Sequence, residues 1–144
     1  MIISSSRRTD IPACYSDWFF NRLEAGFAMV RNPFNPKQVR RVDLSPQSVD
    51  GFVFWTKDPK PMISRLNELK YYSYYFTFTL TPYESDIEPA FANKGTLLQT
   101  FKDLALMIGP EKVIWRYDPI IISDKYTKEF HIEKFNEMAG ELKG

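Results

Sequence analysis

Charged and hydroxyl side chains follow the short apolar stretches of this sequence. Arg7, Arg8, Thr9 and Asp10 come after the first stretch, and Arg31 comes after the second. The same pattern near residues 56, 80 and 116 supplies Lys57, Thr81, Arg116 and Asp118. An arginine can bind a carboxylate or a phosphate through two parallel hydrogen bonds, and a lysine adds a point charge. The pattern therefore predicts a binding site for a small anionic ligand.

Two carboxylates are the candidate catalytic residues, because a carboxylate beside arginines can orient a guanidinium or exchange a proton. These are Asp10 and Asp118. Both also have a structural interpretation. Asp10 precedes a predicted helix, where a carboxylate caps free backbone amides, and Asp118 lies two residues after Arg116 on an extended segment, which suits a local ion pair. Arg7 and Arg8 are neighbours, so on a strand they are expected to point to opposite faces, with only one facing a ligand.

Other chemistries find little support. The chain contains one cysteine, Cys14, and one histidine, His131, so it has no set of side chains for a zinc site of its own. His131 falls on the apolar stripe of a predicted helix, where packing is the simpler interpretation. The Gly-rich nucleotide motifs and the HExxH zinc motif are absent from the sequence.

Composition and charge place the chain among ordinary globular proteins. Of its 144 residues, 44% are hydrophobic, and 19 basic side chains face 18 acidic ones, giving a net charge of +1. Such a balance offers no bulk electrostatic attraction to nucleic acid or to a membrane surface. The N-terminus lacks the pattern of a targeting signal, and no apolar run is long enough to cross a bilayer. We expect a cytoplasmic protein that binds no membrane.

The elements that must position these residues alternate between strand and helix. Apolar stretches at 1–5, 27–30, 51–55, 74–80 and 113–117 predict strands, with a short extra strand at 38–44. Helical spacing predicts helices at 12–25, from 58 on, at 95–108 and from 127 on. This alternation predicts one α/β domain over residues 1–144 with a parallel sheet, in which ligands bind at the carboxyl ends of the strands.

Two architectures fit that alternation. A closed (β/α)₈ barrel needs about 250 residues, so the chain would form a TIM-barrel-like half barrel, the N-terminal part of a longer protein. The alternative is an open doubly wound sheet, which is complete at this length. The hydroxyl side chains on one face of the 74–80 strand favour the barrel, because they would line a polar interior.

Four sequence blocks carry a family resemblance: residues 6–13 (SRRTDIPA), 30–34 (VRNPF), 54–59 (FWTKDP) and 115–119 (WRYDP). With these blocks in order along its whole length, the chain resembles an uncharacterised bacterial family, domain-of-unknown-function family 1848. The resemblance implies a TIM-barrel-like domain followed by a cysteine cluster similar to that of radical S-adenosylmethionine enzymes. This chain has none of those cysteines, so no cofactor is expected in it, and an iron–sulfur cluster with S-adenosylmethionine would belong to a longer parent protein.

Three functions follow as hypotheses. The leading one is the N-terminal part of a barrel enzyme that holds an anionic substrate or cofactor at its strand ends. The second is a non-enzymatic module for nucleic acid or a phosphorylated metabolite, and the third is an inert scaffold fragment. A half barrel would leave two open sheet edges, so we also expect self-association through those edges.

Overall fold

The computed structural model of the protein describes residues 1–91 and 93–143. The chain divides into two compact units, Met1–Tyr75 and Phe76–Gly144. Within the described residues, no helix is both long and apolar enough to span a bilayer. The single domain over 1–144 stays a prediction, and the two units are described separately below.

The first unit holds four strands and three short helices. In chain order these are β1 (Ile2–Ser4), α1 (Ile11–Cys14), α2 (Ser16–Ala25), β2 (Phe27–Arg31), β3 (Val39–Asp43), β4 (Gly51–Thr56) and α3 (Lys60–Ile63), followed by a 3-10 helix at Leu66–Leu69. The single helix predicted at 12–25 is therefore split, because the backbone leaves helical geometry at Tyr15.

The second unit contains the two longest helices. Strand β5 (Tyr74–Thr79) begins at the end of the first unit and continues into the second, which also contains α4 (Lys94–Ile108), β6 (Val113–Arg116) and α5 (Lys128–Leu142). Short 3-10 helices lie at Pro89–Phe91 and Pro110–Lys112. The Asn93 side chain caps α4 by accepting from the Thr96 amide at 3.1 Å, and Thr127 caps α5 by accepting from the Phe130 amide at 3.2 Å.

Parallel pairing organises the main sheet. β1 pairs in parallel with β4, with Ile3 opposite Phe52, and β5 pairs in parallel with β6, with Phe78 opposite Trp115. The Phe52 amide donates to the carbonyl of Ser73 at 2.9 Å, just before β5 begins. The strand order is β1-β4-β5-β6, and these strands form an open sheet that does not close into a barrel over the described residues. The predicted parallel α/β class is confirmed.

The strand predicted at 27–30 does not belong to that sheet. β2 instead pairs antiparallel with β3, from Phe27 opposite Asp43 to Arg31 opposite Val39. The expectation of five strands in one parallel sheet was therefore wrong. The physical reason is the loop at 32–38, which holds two prolines and is short enough to fold the extra strand back onto its neighbour.

Aromatic side chains form the core of the first unit. Phe52 and Phe54 stack on one face of β4 with ring centroids 5.9 Å apart, and the Phe19 ring of α2 meets both edge-on at 5.3 Å. All three side chains are buried. Such edge-on pairs add about 0.5–1.5 kcal/mol each beyond the burial of apolar area. This cluster fixes α2 against β4.

The core of the second unit follows the alternation of β5. Phe76 and Phe78 are fully buried, whereas the intervening threonine is only partly so. From α4, Phe101 places its ring 5.4 Å from that of Phe78, and Leu104 is also fully buried. The face of α4 that carries Phe101 and Leu104 thus covers this strand.

Gly26 ends α2 in the left-handed region, with φ of +77°, and its amide donates to the carbonyl of Leu23. A Cβ at this position would meet no atom within 4 Å, so strain comes from the backbone conformation alone. We expect Gly26→Ala to lower the free energy of unfolding by about 1 kcal/mol, measured by urea denaturation.

Gly140 is the matched control for that substitution. It lies inside α5, and a Cβ there also meets nothing within 4 Å. Gly140→Ala should raise the free energy of unfolding by up to about 1 kcal/mol, because alanine favours the helix. Changes of the same sign in both variants would contradict this account of Gly26.

Candidate functional site

The carboxylate of Asp10 joins two parts of the first unit. Its Oδ1 accepts from the Ala13 amide at 3.0 Å and so caps α1. Its Oδ2 accepts from the Lys57 amide at 2.7 Å, directly after β4. Both carboxylate oxygens are therefore engaged by backbone amides. The capping interpretation of Asp10 is what the structure shows, and its catalytic role stays a prediction.

The turn between β1 and α1 carries Arg7 and Arg8. The Arg8 Nη1 donates to the carbonyl of Arg31 at 2.8 Å, which ties this turn to the end of β2. A guanidinium has five N–H donors, so this bond orients Arg8 and leaves donors available for a ligand. Because residues 5–9 form turns and bends rather than a strand, alternation does not apply to Arg7 and Arg8. The expectation that only one of them faces a ligand stays a prediction, and both residues line the same cavity.

That cavity, which we call the arginine groove, has a volume of about 560 Å³. The groove lies in the first unit and is lined from β1 and the following turn, from α1 and α2, and from the β2–β3 hairpin and β4. Its lining residues are Ile3, Ser4, Ser5, Arg7, Arg8, Thr9, Ile11, Tyr15, Trp18, Phe19, Arg22, Ala28, Met29, Val30, Arg31, Val42, Leu44 and Phe52. Its volume lies within the range of small-molecule sites.

The charge of the arginine groove has one sign. The charged lining residues are four arginines, Arg7, Arg8, Arg22 and Arg31, with no aspartate or glutamate among them. None of these four guanidinium groups makes an ion pair within residues 1–91 and 93–143. A second cavity of about 400 Å³ shares Arg8 and Arg31 with the groove and adds a further arginine from β3. Positive charge is thus concentrated at one place in a nearly neutral protein.

Three of the predicted site residues lie in the second unit. Arg116 pairs with Asp118 through Nη2 and Oδ2, as the local interpretation expected. Thr81 is buried and donates its hydroxyl to Glu88 at 2.9 Å. Glu88 is itself buried and forms an ion pair with Lys94 at 2.5 Å. Thr81 and the half-buried Lys94 thus give the buried Glu88 carboxylate two partners.

A second polar cluster fixes the segment after β6. The Tyr83 hydroxyl donates to the Pro119 carbonyl and accepts from the Ile121 amide, each at 2.7 Å. The buried His131 lies 3.0 Å from the Ile121 carbonyl through Nε2 and 2.9 Å from the Tyr117 hydroxyl through Nδ1. A carbonyl only accepts, so Nε2 carries a proton and donates it to Ile121, while Nδ1 shares a hydrogen bond with the Tyr117 hydroxyl. His131 is a packed, hydrogen-bonded residue, as predicted.

Sequence reasoning missed part of the arginine groove. The helical spacing of Tyr15, Trp18 and Phe19 predicts a core stripe, but Tyr15 and Trp18 are about half exposed and line the groove. Arg22 was not considered for the site. The signal was available, because positions 15, 18, 19 and 22 follow the i, i+3, i+4, i+7 spacing of one helix face. No group of three or more metal-ligating side chains occurs in the described part of the chain.

A family model described as Domain of unknown function (DUF1848) matches residues 2–144. The chain belongs to this family. The resemblance inferred from the four sequence blocks is therefore confirmed, and two of those blocks supply Arg7, Arg8, Asp10 and Arg31 of the geometry above. No curated protein and no solved structure matches the chain.

Asp10 offers a direct test of how the first turn is held. Asp10→Ala removes a helix cap and a charge-assisted hydrogen bond to the Lys57 amide, so we expect it to lower the free energy of unfolding by about 2 to 4 kcal/mol. Asp58→Ala is the matched control, because the Asp58 carboxylate accepts from the Lys60 amide at 3.0 Å in an exposed position, and it should cost at most about 1 kcal/mol. Equal losses in urea denaturation would show that Asp10 does not anchor the turn.

Tyr117 gives the second unit a defined response to alkaline pH. Burial, helped by nearby Tyr83, raises the pKa of Tyr117 to about 12, from its ordinary value of about 10. The folded protein thus keeps the phenol protonated after the unfolded chain has lost that proton. This contribution to stability is complete below about pH 10 and is lost as the pH rises through 12.

We therefore expect Tyr117→Phe to be less stable than the wild type at pH 8, because it loses the bond to His131, and to lose less further stability between pH 10 and 12. Part of the pH dependence should remain, since burial also raises the pKa of Tyr83. Urea denaturation at a series of pH values measures both effects. An unchanged slope in the variant would contradict this assignment.

Proposed function

We propose that this protein binds a small ligand bearing a carboxylate or a phosphate in the arginine groove. The observation that carries the proposal is the charge of that groove, whose four charged lining residues are all arginines. Arg7, Arg8 and Arg31 are exposed, so their guanidinium groups are accessible to an anion, which they can bind through charge-assisted hydrogen bonds. A groove of this sign attracts anions although the net charge of the protein is only +1.

Arg8 is the central contact of the proposed site. Its bond to the Arg31 carbonyl holds the guanidinium in one orientation before a ligand arrives, which reduces the entropy lost on binding. Arg7 precedes it in the same turn, and Arg31 is the residue whose carbonyl Arg8 contacts. Thr9, which also lines the groove, adds a hydroxyl donor. Asp10 is a positioning residue in this proposal, because its oxygens bind the Ala13 and Lys57 amides.

The other residues predicted for the site do not line the arginine groove, and their roles stay predictions. Lys57 contributes its backbone amide to Asp10, while Thr81, Arg116 and Asp118 belong to the second unit. Enzymatic activity, an iron–sulfur cofactor in a longer parent protein, contact with nucleic acid and self-association stay predictions from the sequence. The proposal requires only that the first unit bind an anion.

Titration with inorganic phosphate and with acetate, followed by ¹⁵N–¹H correlation spectra, tests the site. We expect the largest shifts in the amides of residues 5–9 and 31. Arg8→Met should weaken binding by at least about tenfold, because a charge-assisted hydrogen bond contributes about 1.5–3 kcal/mol. Arg7→Met, whose side chain makes no hydrogen bond or ion pair in the described residues, provides the same test with less risk to the fold.

Arg41→Met is the matched control. Arg41 lies on β3 with its guanidinium 4.3 Å from the centre of the Phe27 ring, and it does not line the groove. Arg41→Met removes the same charge from a residue outside the groove lining, so it should leave binding within about twofold of the wild type. Equal weakening in the Arg8 and Arg41 variants, or shifts spread over the whole chain, would refute a defined anion site.

A further inference from the structure

The arginine groove has an apolar interior beside its arginines. Eleven of its eighteen lining residues are hydrophobic, and the acidic side chains are absent from its lining. An inorganic anion would use the guanidinium groups and leave this apolar surface wet. The groove therefore has room and surface for more than a headgroup.

One wall of the groove is an aromatic face of the first helices. Tyr15 and Trp18 keep 51% and 45% of their surface exposed, and both line the cavity. Arg22 lies four residues after Trp18, one turn further along α2. Phe19, on the same face, is buried and backs onto Phe52. This part of the lining therefore contains two partly exposed aromatic rings and the guanidinium group of Arg22.

Another part of the lining is aliphatic and comes from the hairpin. Ala28 and Val42 are paired residues of β2 and β3, and both line the groove together with Val30. The side chains of Val30 and Val42 are branched at Cβ and have few rotamers, so this part of the lining is suited to contact with a flat group. A lining that combines aromatic rings with branched aliphatic side chains favours a planar body over a flexible chain, because aromatic rings stack in preferred offset or edge-on geometries.

A buried hydroxyl completes the polar end. Within the described residues, the Ser5 Oγ is buried and has no hydrogen-bond partner, and Ser5 lines the groove directly before the arginine turn. A buried hydroxyl without a partner costs free energy, which a small movement of this turn toward a bound ligand oxygen would recover. Ser5 and Arg8 together mark where an anionic headgroup would lie.

We propose that the ligand of this groove is an aromatic acid, with a planar ring body between Trp18 and the hairpin and a single carboxylate or phosphate at Arg8. This inference rests on the proposed anion site and adds the chemistry of the ligand body to it. Trp18 and Tyr15 would determine specificity for the body, and the arginines would bind the charge.

Isothermal titration calorimetry with four probes separates the two proposals. The probes are acetate, octanoate, 2-naphthoate and the neutral 2-naphthalenemethanol. We expect 2-naphthoate to bind at least about tenfold more tightly than acetate, because burial of the ring area adds to the charge contact, and more tightly than octanoate or the neutral alcohol.

Variants at Trp18 and Tyr15 test where the aromatic ring of the ligand binds. Trp18→Leu should weaken 2-naphthoate binding by about three- to tenfold, from the loss of one aromatic pair, and leave acetate binding unchanged. Tyr15→Leu should act in the same direction. Trp55→Leu is the matched control, since Trp55 is also about half exposed but does not line the groove, and it should leave 2-naphthoate binding unchanged.

Each other outcome has a defined meaning. If acetate and 2-naphthoate bind equally and both depend on Arg8, the aromatic body is refuted and the anion site stands. Tighter binding of octanoate, or equal effects of Trp18→Leu and Trp55→Leu, also refutes the aromatic body. If 2-naphthalenemethanol binds as well as 2-naphthoate, or if no probe binds, the anion site itself fails and the aromatic acid fails with it.

Discussion

The first unit depends on one carboxylate held between two backbone amides. Asp10 binds the Ala13 amide at the start of α1 and the Lys57 amide at the end of β4, so the end of the turn at residues 5–9 is fixed to both elements. Arg8 of that turn then binds the Arg31 carbonyl and holds the hairpin in place. Because each contact positions the next, the geometry of the arginine groove follows from a residue that need not touch the ligand.

The aromatic side chains of this unit divide between two tasks. Phe19, Phe52 and Phe54 are buried and pack edge-on or stacked, which joins α2 to β4. Tyr15 and Trp18 are on the same helical spacing as Phe19 yet are half exposed. Exposed aromatic surface gains nothing from the hydrophobic effect in the free protein. Along this helix face, Phe19 therefore packs in the core, whereas the rings of Tyr15 and Trp18 stay open to the groove.

Much of the fold could be predicted because its signals are local. The caps at Asp10 and Thr127 and the alternation of β5 are set by neighbouring residues, and the structure confirms them. The partner of β2 could not be predicted in this way, since an apolar stretch indicates a strand without naming the strand it pairs with. The same limit explains Arg7 and Arg8, because the alternation rule assumes a strand where the chain makes a turn. Arg22 was not predicted for another reason. Helical spacing indicates which residues share a face, but it does not indicate whether that face is buried or lines a groove.

Two of the four sequence blocks that carry the family resemblance contain side chains that hold neighbouring backbone in place. In residues 6–13, Arg8 and Asp10 bind a carbonyl and two amides. In residues 115–119, the Trp115 indole donates to the Leu80 carbonyl, and Tyr117 bonds the ring of His131, whose other nitrogen holds Ile121. Such bonds fix irregular segments that no regular hydrogen-bond ladder supports. The residue types in these blocks are thus explained by the segments they position, and the guanidinium donors left over in the first block, on Arg7 and Arg8, are the part that packing does not explain.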